Sequence, residues 1–138
     1  DPERAARYVA DTGVDALSVS IGNVHIQTHG EATVNLDHLA RLHARVSVPF
    51  VLHGGTSFPA AAIPRAVELG VAKINIGTVL KQRFLDGARD ALAHLPTPPD
   101  IQELVGSRKP GDFLSAAQAR LRAEVLLRMA HYGCIGKG

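Results

Sequence analysis

Three times in succession, a short apolar run gives way to a polar, glycine-containing loop and then to a helix-spaced segment. DALSVSI (15–21) leads into a loop over 22–35, then into apolar Leu36, Leu39, Ala40 and Leu42 at helical spacing. VPFVL (48–52) leads into His53-Gly54-Gly55 and a helix pattern over 59–69, where Pro64 marks the first turn. AKINI (72–76) leads into Gly77-Thr78 and a long helix to about His94. Strand, loop and helix repeated in this way predict an α/β fold of βαβ units with parallel strands. Such strands are expected to be buried on both faces. Ahead of them, Asp1-Pro2-Glu3 reads as the N-cap, N1 proline and acidic first turn of a helix that Gly13 ends. Residues 96–111 hold four prolines and two glycines and read as a linker, followed by a last helix from Asp112 to about Tyr132. The expected division is 1–95 for the strand–helix units and 96–138 for linker, C-terminal helix and tail of the same domain.

Composition narrows the class. The 138 residues are about one domain's worth. With 46% hydrophobic and 20% charged residues the chain is globular, and with 4% aromatics and no Trp its core rests on Ala, Val, Leu and Ile. A net charge of +2, scattered along the chain, gives no nucleic-acid footprint. One cysteine, Cys134, excludes an intrachain disulfide framework and a Cys-rich zinc module, so a cytoplasmic location is expected. No run approaches the ~18 apolar residues of a membrane span, and the N-terminus has no secretory apolar core. The absence of an initiator Met fits either processing or a piece of a longer chain.

Each polar cluster falls just after a strand, where parallel α/β folds bind ligands, so the three argue for one shared site. In Gly22-Asn23-Val24-His25, the histidine reads as a metal ligand, an acid/base group, or a plain loop histidine. In His53-Gly54-Gly55-Thr56-Ser57, two glycines let backbone N–H groups approach an anion, and Thr56 and Ser57 add hydroxyls. A tight turn with a Ser or Thr helix cap is the alternative. In Asn75-Ile76-Gly77-Thr78, Asn75 sits among apolar neighbours and needs a partner, either a substrate hydroxyl or neighbouring backbone. Gly77 and Thr78 open a helix whose N–H groups suit phosphate. Imidazoles are common ligands for zinc and similar ions. Paired His, phosphate loops and an Asn point to a metal-assisted reaction on a phosphorylated small molecule. The other histidines (His29, His38, His43, His94 and His131) lie in a polar loop or on helix patterns and read as solvated, with His29 set apart because it lies only four residues after His25.

These residues resemble the class II, metal-dependent ketose-bisphosphate aldolases. TGVDALSVSIGNVH resembles that family's strand leading to a zinc-binding His. VPFVLHGGTS resembles the strand with a second zinc His and a Gly-rich phosphate loop. ELGVAKINIGT resembles its last barrel strand with a substrate-binding Asn, and YGCIGKG its Gly-containing tail. The resemblance implies the C-terminal part of a (β/α)8 TIM barrel, with the last three βα units in 1–95. It implies that His25 and His53 bind Zn2+ or another divalent metal. It further implies that Asn75 contacts substrate and that Gly54, Thr56, Gly77 and Thr78 bind phosphate. A monovalent cation near these loops is also implied. Ile26, Ser57 and Val79 depart from the family pattern, and none removes a metal ligand.

The implied activity is reversible cleavage of a ketose 1,6-bisphosphate such as fructose 1,6-bisphosphate, with no Schiff-base lysine. The remaining zinc His and the acid/base Asp belong upstream of this sequence, so no acid/base residue is assigned within it. Such barrels need ~200 residues or more, and the chain is expected to be the C-terminal half of an enzyme whose full-length form is a homo-oligomer. The alternative is a non-catalytic fragment that binds phosphate or metal and associates with a partner chain. A half barrel leaves open sheet edges, so the isolated chain is expected to dimerise or aggregate. Neither membrane nor nucleic acid is an expected partner.

Overall fold

The computed structural model describes residues 1–23, 30 and 32–137. Its packing divides the chain into two compact units, Asp1–Gly77 and Thr78–Gly138.

The first unit begins with α1 (Pro2–Thr12), capped as its sequence predicts. The Asp1 carboxylate accepts from Arg4 N at 2.9 Å, and Gly13 takes the left-handed conformation (φ 66°) that lets its N–H bond Val9 O. Next come β1 (Leu17–Val19), α2 (Leu36–His43), β2 (Phe50–Leu52), a 3-10 turn (Ala60–Ala62), α3 (Ile63–Glu68) and β3 (Val71–Ile74). Asn35 caps α2 by accepting from His38 N at 2.8 Å. Pro64 stands in the first turn of α3, where a missing N–H costs nothing.

The three strands form one parallel sheet in the order β1-β2-β3. Leu17 faces Phe50 and Val19 faces Leu52; on the other side Phe50 faces Val71 while Val51 faces Lys73, so β3 carries one extra residue there. Burial corrects one expectation: only the central strand is thoroughly buried, with Phe50 and Leu52 both 0% exposed, while β1 and β3 are partly exposed. Among the described residues, each flanking strand has a neighbour on one side only. Leu39 and Leu42 from α2, Ile63 and Ala66 from α3, and Ile21 past β1 are buried with them. The strands are also shorter than their apolar runs. β3 ends at Ile74, so Asn75 lies just beyond the strand rather than inside it.

The second unit contains α4 (Thr78–Leu92), α5 (Ile101–Leu104) and α6 (Phe113–His131). α4 and α6 approach closely at Gly87, where a Cβ would stand 2.8 Å from Ala117 Cα. Buried Glu124 on α6 accepts from Arg128 Nε at 2.8 Å and Arg83 Nε at 3.2 Å, tying α6 to α4. Burial pushes the Glu124 carboxyl up, but the two guanidiniums outweigh it and hold it below its usual range. The proline-rich stretch contains the short α5, which the linker reading omits; Asp100 caps it through Gln102 N and Glu103 N. Asp112, almost fully buried, caps α6 through Leu114 N at 3.0 Å. It also accepts at 2.7 Å from the N–H of Arg108, which has a positive φ of 61°. That bond is the main cause holding its carboxyl below the usual range, against the opposing effect of burial.

Candidate functional site

The exits of the three strands are tied first by main-chain bonds. Asn75 N donates to Leu52 O at 2.8 Å, and Gly55 N returns to Asn75 O at 3.0 Å, closing β2 against β3. The loop after β1 is fixed at its base by Asn35 N to Ile21 O at 2.7 Å, and to the next loop by Ala32 N to Ser57 O at 2.8 Å. Gly55 is needed for this approach. A Cβ there would stand 2.6 Å from Ile74 Cγ2 and 2.9 Å from Ile76 Cγ1. The glycine pair thus serves two purposes. Gly54 turns the chain at φ 69°, while Gly55 admits the end of β3 and points its N–H at Asn75 rather than leaving it for an anion.

On this frame sit the side chains. His53 follows the last residue of the central strand and is half-buried. The Asn75 side-chain nitrogen lies 3.4 Å from its Nε2. With the amide as donor, Nε2 accepts and the ring proton belongs on Nδ1. Asn75 therefore has a protein partner for its amide, but that partner is a side-chain ring, neither the substrate hydroxyl nor the neighbouring backbone that its sequence left open. Asn23 comes from the exit of β1: its Oδ1 accepts from Ile21 N at 2.7 Å and its Nδ2 donates to His53 O at 2.9 Å. Ser57 is buried and closes its own turn, its N–H reaching Gly54 O at 3.3 Å. Thr56 is half-buried in the same turn. Gly77 is exposed, with open space where a Cβ would go. Thr78 is the first residue of α4 and belongs to the second unit.

The structure thus brings together Asn23, His53, Gly54 and Asn75. His25 and His29 lie outside the described residues. His43, His94 and His131 are exposed on or just past helices, as solvated histidines would be. Sequence reasoning named Asn23 within its cluster but gave it no role. An Asn after a left-handed glycine signals a turn, whereas its bond to a carbonyl 30 residues on cannot be read locally.

An imidazole at the carboxyl end of a parallel strand is the right donor for a divalent metal such as zinc. Among the described residues, no three His, Cys, Asp or Glu gather closely enough to complete such a site. The described donor set accordingly fits a share of a metal site, through His53. Among the described residues, no helix is long and apolar enough to cross a membrane.

The family described as "Fructose-bisphosphate aldolase class-II" matches residues 1–137. A fructose-bisphosphate aldolase of Geobacillus stearothermophilus is 32% identical over 137 residues, which is 99% of this chain and 45% of the relative. The solved YdjI aldolase of Escherichia coli K12 superposes with a TM-score of 0.77 at 30% identity, over 99% of this chain and 46% of that one. A fructose-bisphosphate aldolase structure from Campylobacter jejuni gives 0.75 at 23% identity, over 100% of this chain and 46% of the other, and bears on the fold alone. The chain thus spans under half the length of these relatives, and its three parallel strand–helix units are part of a (β/α)8 barrel.

Proposed function

Because the chain belongs to the class II fructose-bisphosphate aldolase family, we propose that it carries part of the active site of a metal-dependent aldolase. The reaction is reversible cleavage of a ketose 1,6-bisphosphate, such as fructose 1,6-bisphosphate, to glycerone phosphate and an aldehyde phosphate. The observation that carries this reading is His53 at the exit of the buried central strand, with the amide of Asn75 at 3.4 Å from the next strand's exit.

His25 and His53 would hold the divalent metal, zinc in this reading. When bound, such a metal is a Lewis acid for the ketose carbonyl. Asn75 meets the substrate near its reacting carbons, exchanging its contact with His53 for a substrate oxygen. Gly54, Thr56, Gly77 and Thr78 take the phosphate groups, which hold the substrate in register; a monovalent cation near these loops belongs to the same reading. The acid/base Asp comes from polypeptide outside this sequence, so the isolated chain binds without turning over. We read 1–95 and 96–138 as parts of one domain, the location as cytoplasmic and the whole enzyme as a homo-oligomer.

A second reading, a non-catalytic chain that binds metal or phosphate and associates with a partner, is favoured by the partial exposure of both flanking strands. Zinc titration by calorimetry tests the first reading, on the wild type and on His53→Ala, with and without a phosphorylated three-carbon ketone. Zinc uptake that His53→Ala abolishes, together with ketone binding, supports it. A wild-type chain that takes up no zinc removes this chain from the metal site.

A further inference from the structure

We propose that Asn23 is a positioning residue for His53, an inference that rests on reading His53 as a metal ligand. The planar amide of Asn23 is used at both ends. Its Oδ1 accepts from Ile21 N at 2.7 Å, which fixes the side chain to the exit of β1, and its Nδ2 donates to His53 O at 2.9 Å. One short side chain thus staples the exit of one strand to the main chain of the ligand residue on the next.

The register of β1 against β2 runs to Val19 facing Leu52, one residue short of His53. Past that point the amide of Asn23 continues the link. On the other side, the amide of Asn75 reaches the imidazole Nε2 at 3.4 Å. In the metal-free chain His53 is thereby held at two places by two asparagines from the two neighbouring strand exits: its carbonyl by Asn23 and its ring by Asn75, whose amide a metal on Nε2 would displace while the Asn23 bond stays. A ring that must meet a metal in one orientation depends on where its own backbone is fixed. Partners bonded directly to a ligand's ring or carboxylate typically govern about 10–100-fold in metal affinity; Asn23 acts one step further back, on the ligand's carbonyl.

The chemistry of the amide supplies a discriminating substitution. Asn23→Asp keeps the acceptor for Ile21 N but replaces the donor with a carboxylate oxygen facing the His53 carbonyl. Ser57→Ala is the control, since it removes a hydroxyl contact to the adjacent carbonyl, Gly54 O at 3.5 Å, in the same turn.

Two measurements are made on the 138-residue chain. One is the His53 ring-nitrogen signals by NMR without metal, assigned by their loss in His53→Ala. The other is zinc affinity by competition with a chromophoric chelator. Asn23→Asp is expected to move the ring signals and to weaken zinc by up to about 10-fold, while Ser57→Ala leaves both near wild type. Unmoved ring signals in a folded Asn23→Asp chain overturn the proposal, as does an equal movement in Ser57→Ala. A wild-type chain that takes no zinc sinks the metal reading instead, and the ring signals alone then decide the role of Asn23. Asn23→Ala, which removes both bonds without adding charge, replaces the aspartate if the latter does not fold. If neither variant folds, Asn23 is a folding determinant and the proposal falls.

Discussion

Gly87→Ala inverts an ordinary rule. Gly87 lies inside α4, and on an exposed helix the change to alanine gains about 1 kcal/mol. Here the new Cβ would stand 2.8 Å from Ala117 Cα, 2.9 Å from Ala116 O and 2.9 Å from Arg120 Cγ. Ordinary carbon–carbon contact is about 3.5–4.0 Å. The Arg120 side chain can swing aside, but Ala117 Cα and Ala116 O are main chain. α4 and α6 must therefore separate by roughly 0.7 Å, and a gap of that size forfeits a quarter to a half of the dispersion at each contact it opens. Overpacking of this kind costs about 1–3 kcal/mol. Against the helical gain, we expect a net loss of up to about 2 kcal/mol. Urea unfolding followed by far-UV circular dichroism measures it. Arg120→Ala in the same chain should not restore stability, because the obstruction is backbone. A midpoint that rises in Gly87→Ala would refute the close approach of the two helices.

Removing the Glu124 carboxylate is expected to cost about 1.5–3 kcal/mol, as for hydrogen bonds to charged groups, and toward the lower end because Arg83 is 46% exposed and regains water. The pH dependence has a definite sign. The folded carboxyl sits below its ordinary pKa near 4.5, so its contribution is complete above that value and is lost as pH falls through the folded one. Acid titration of stability in wild type against Glu124→Gln should show the difference narrowing below pH 4.5, and a constant difference would contradict the pairing. Gly22→Ala should be severe, at least about 2–3 kcal/mol. Gly22 has φ 97°, and its Cβ would lie 2.3 Å from Thr33 O; near-wild-type thermal unfolding of that variant would show the loop is built differently.

Local signals were legible where the responsible groups are neighbours in sequence. Asp1, Pro2 and Gly13 bracket α1, Pro64 marks the first turn of α3, and Asp112 caps α6, all within a few residues of the groups they serve. α5 was hidden because four prolines around it outweighed the cap signal of Asp100. The strands are shorter than the sequence suggests because apolar character continues past the point where pairing stops: Ile21 and Ile76 are apolar but lie beyond β1 and β3. At the candidate site, the residue types were legible in His53, Gly54 and Asn75, while their partners were not. Asn23 meets a carbonyl 30 residues on, and Asn75 a ring 22 residues back. The sequence suggests that Gly55 makes room for an anion, whereas in the structure it makes room for Ile74 and Ile76.

The bonds that close the strand exits run between main-chain atoms: Leu52 with Asn75, Asn75 with Gly55, and Ser57 with Ala32. Such bonds do not depend on which side chain a residue carries. A frame of this kind can pass through extensive sequence drift and keep its shape, provided the few positions where a side chain would intrude stay small. That is one physical reason why two chains only 30% identical can share this backbone at a TM-score of 0.77. Gly55 is one such position: a Cβ there would meet Ile74 and Ile76, so a substitution at Gly55 alters the scaffold itself.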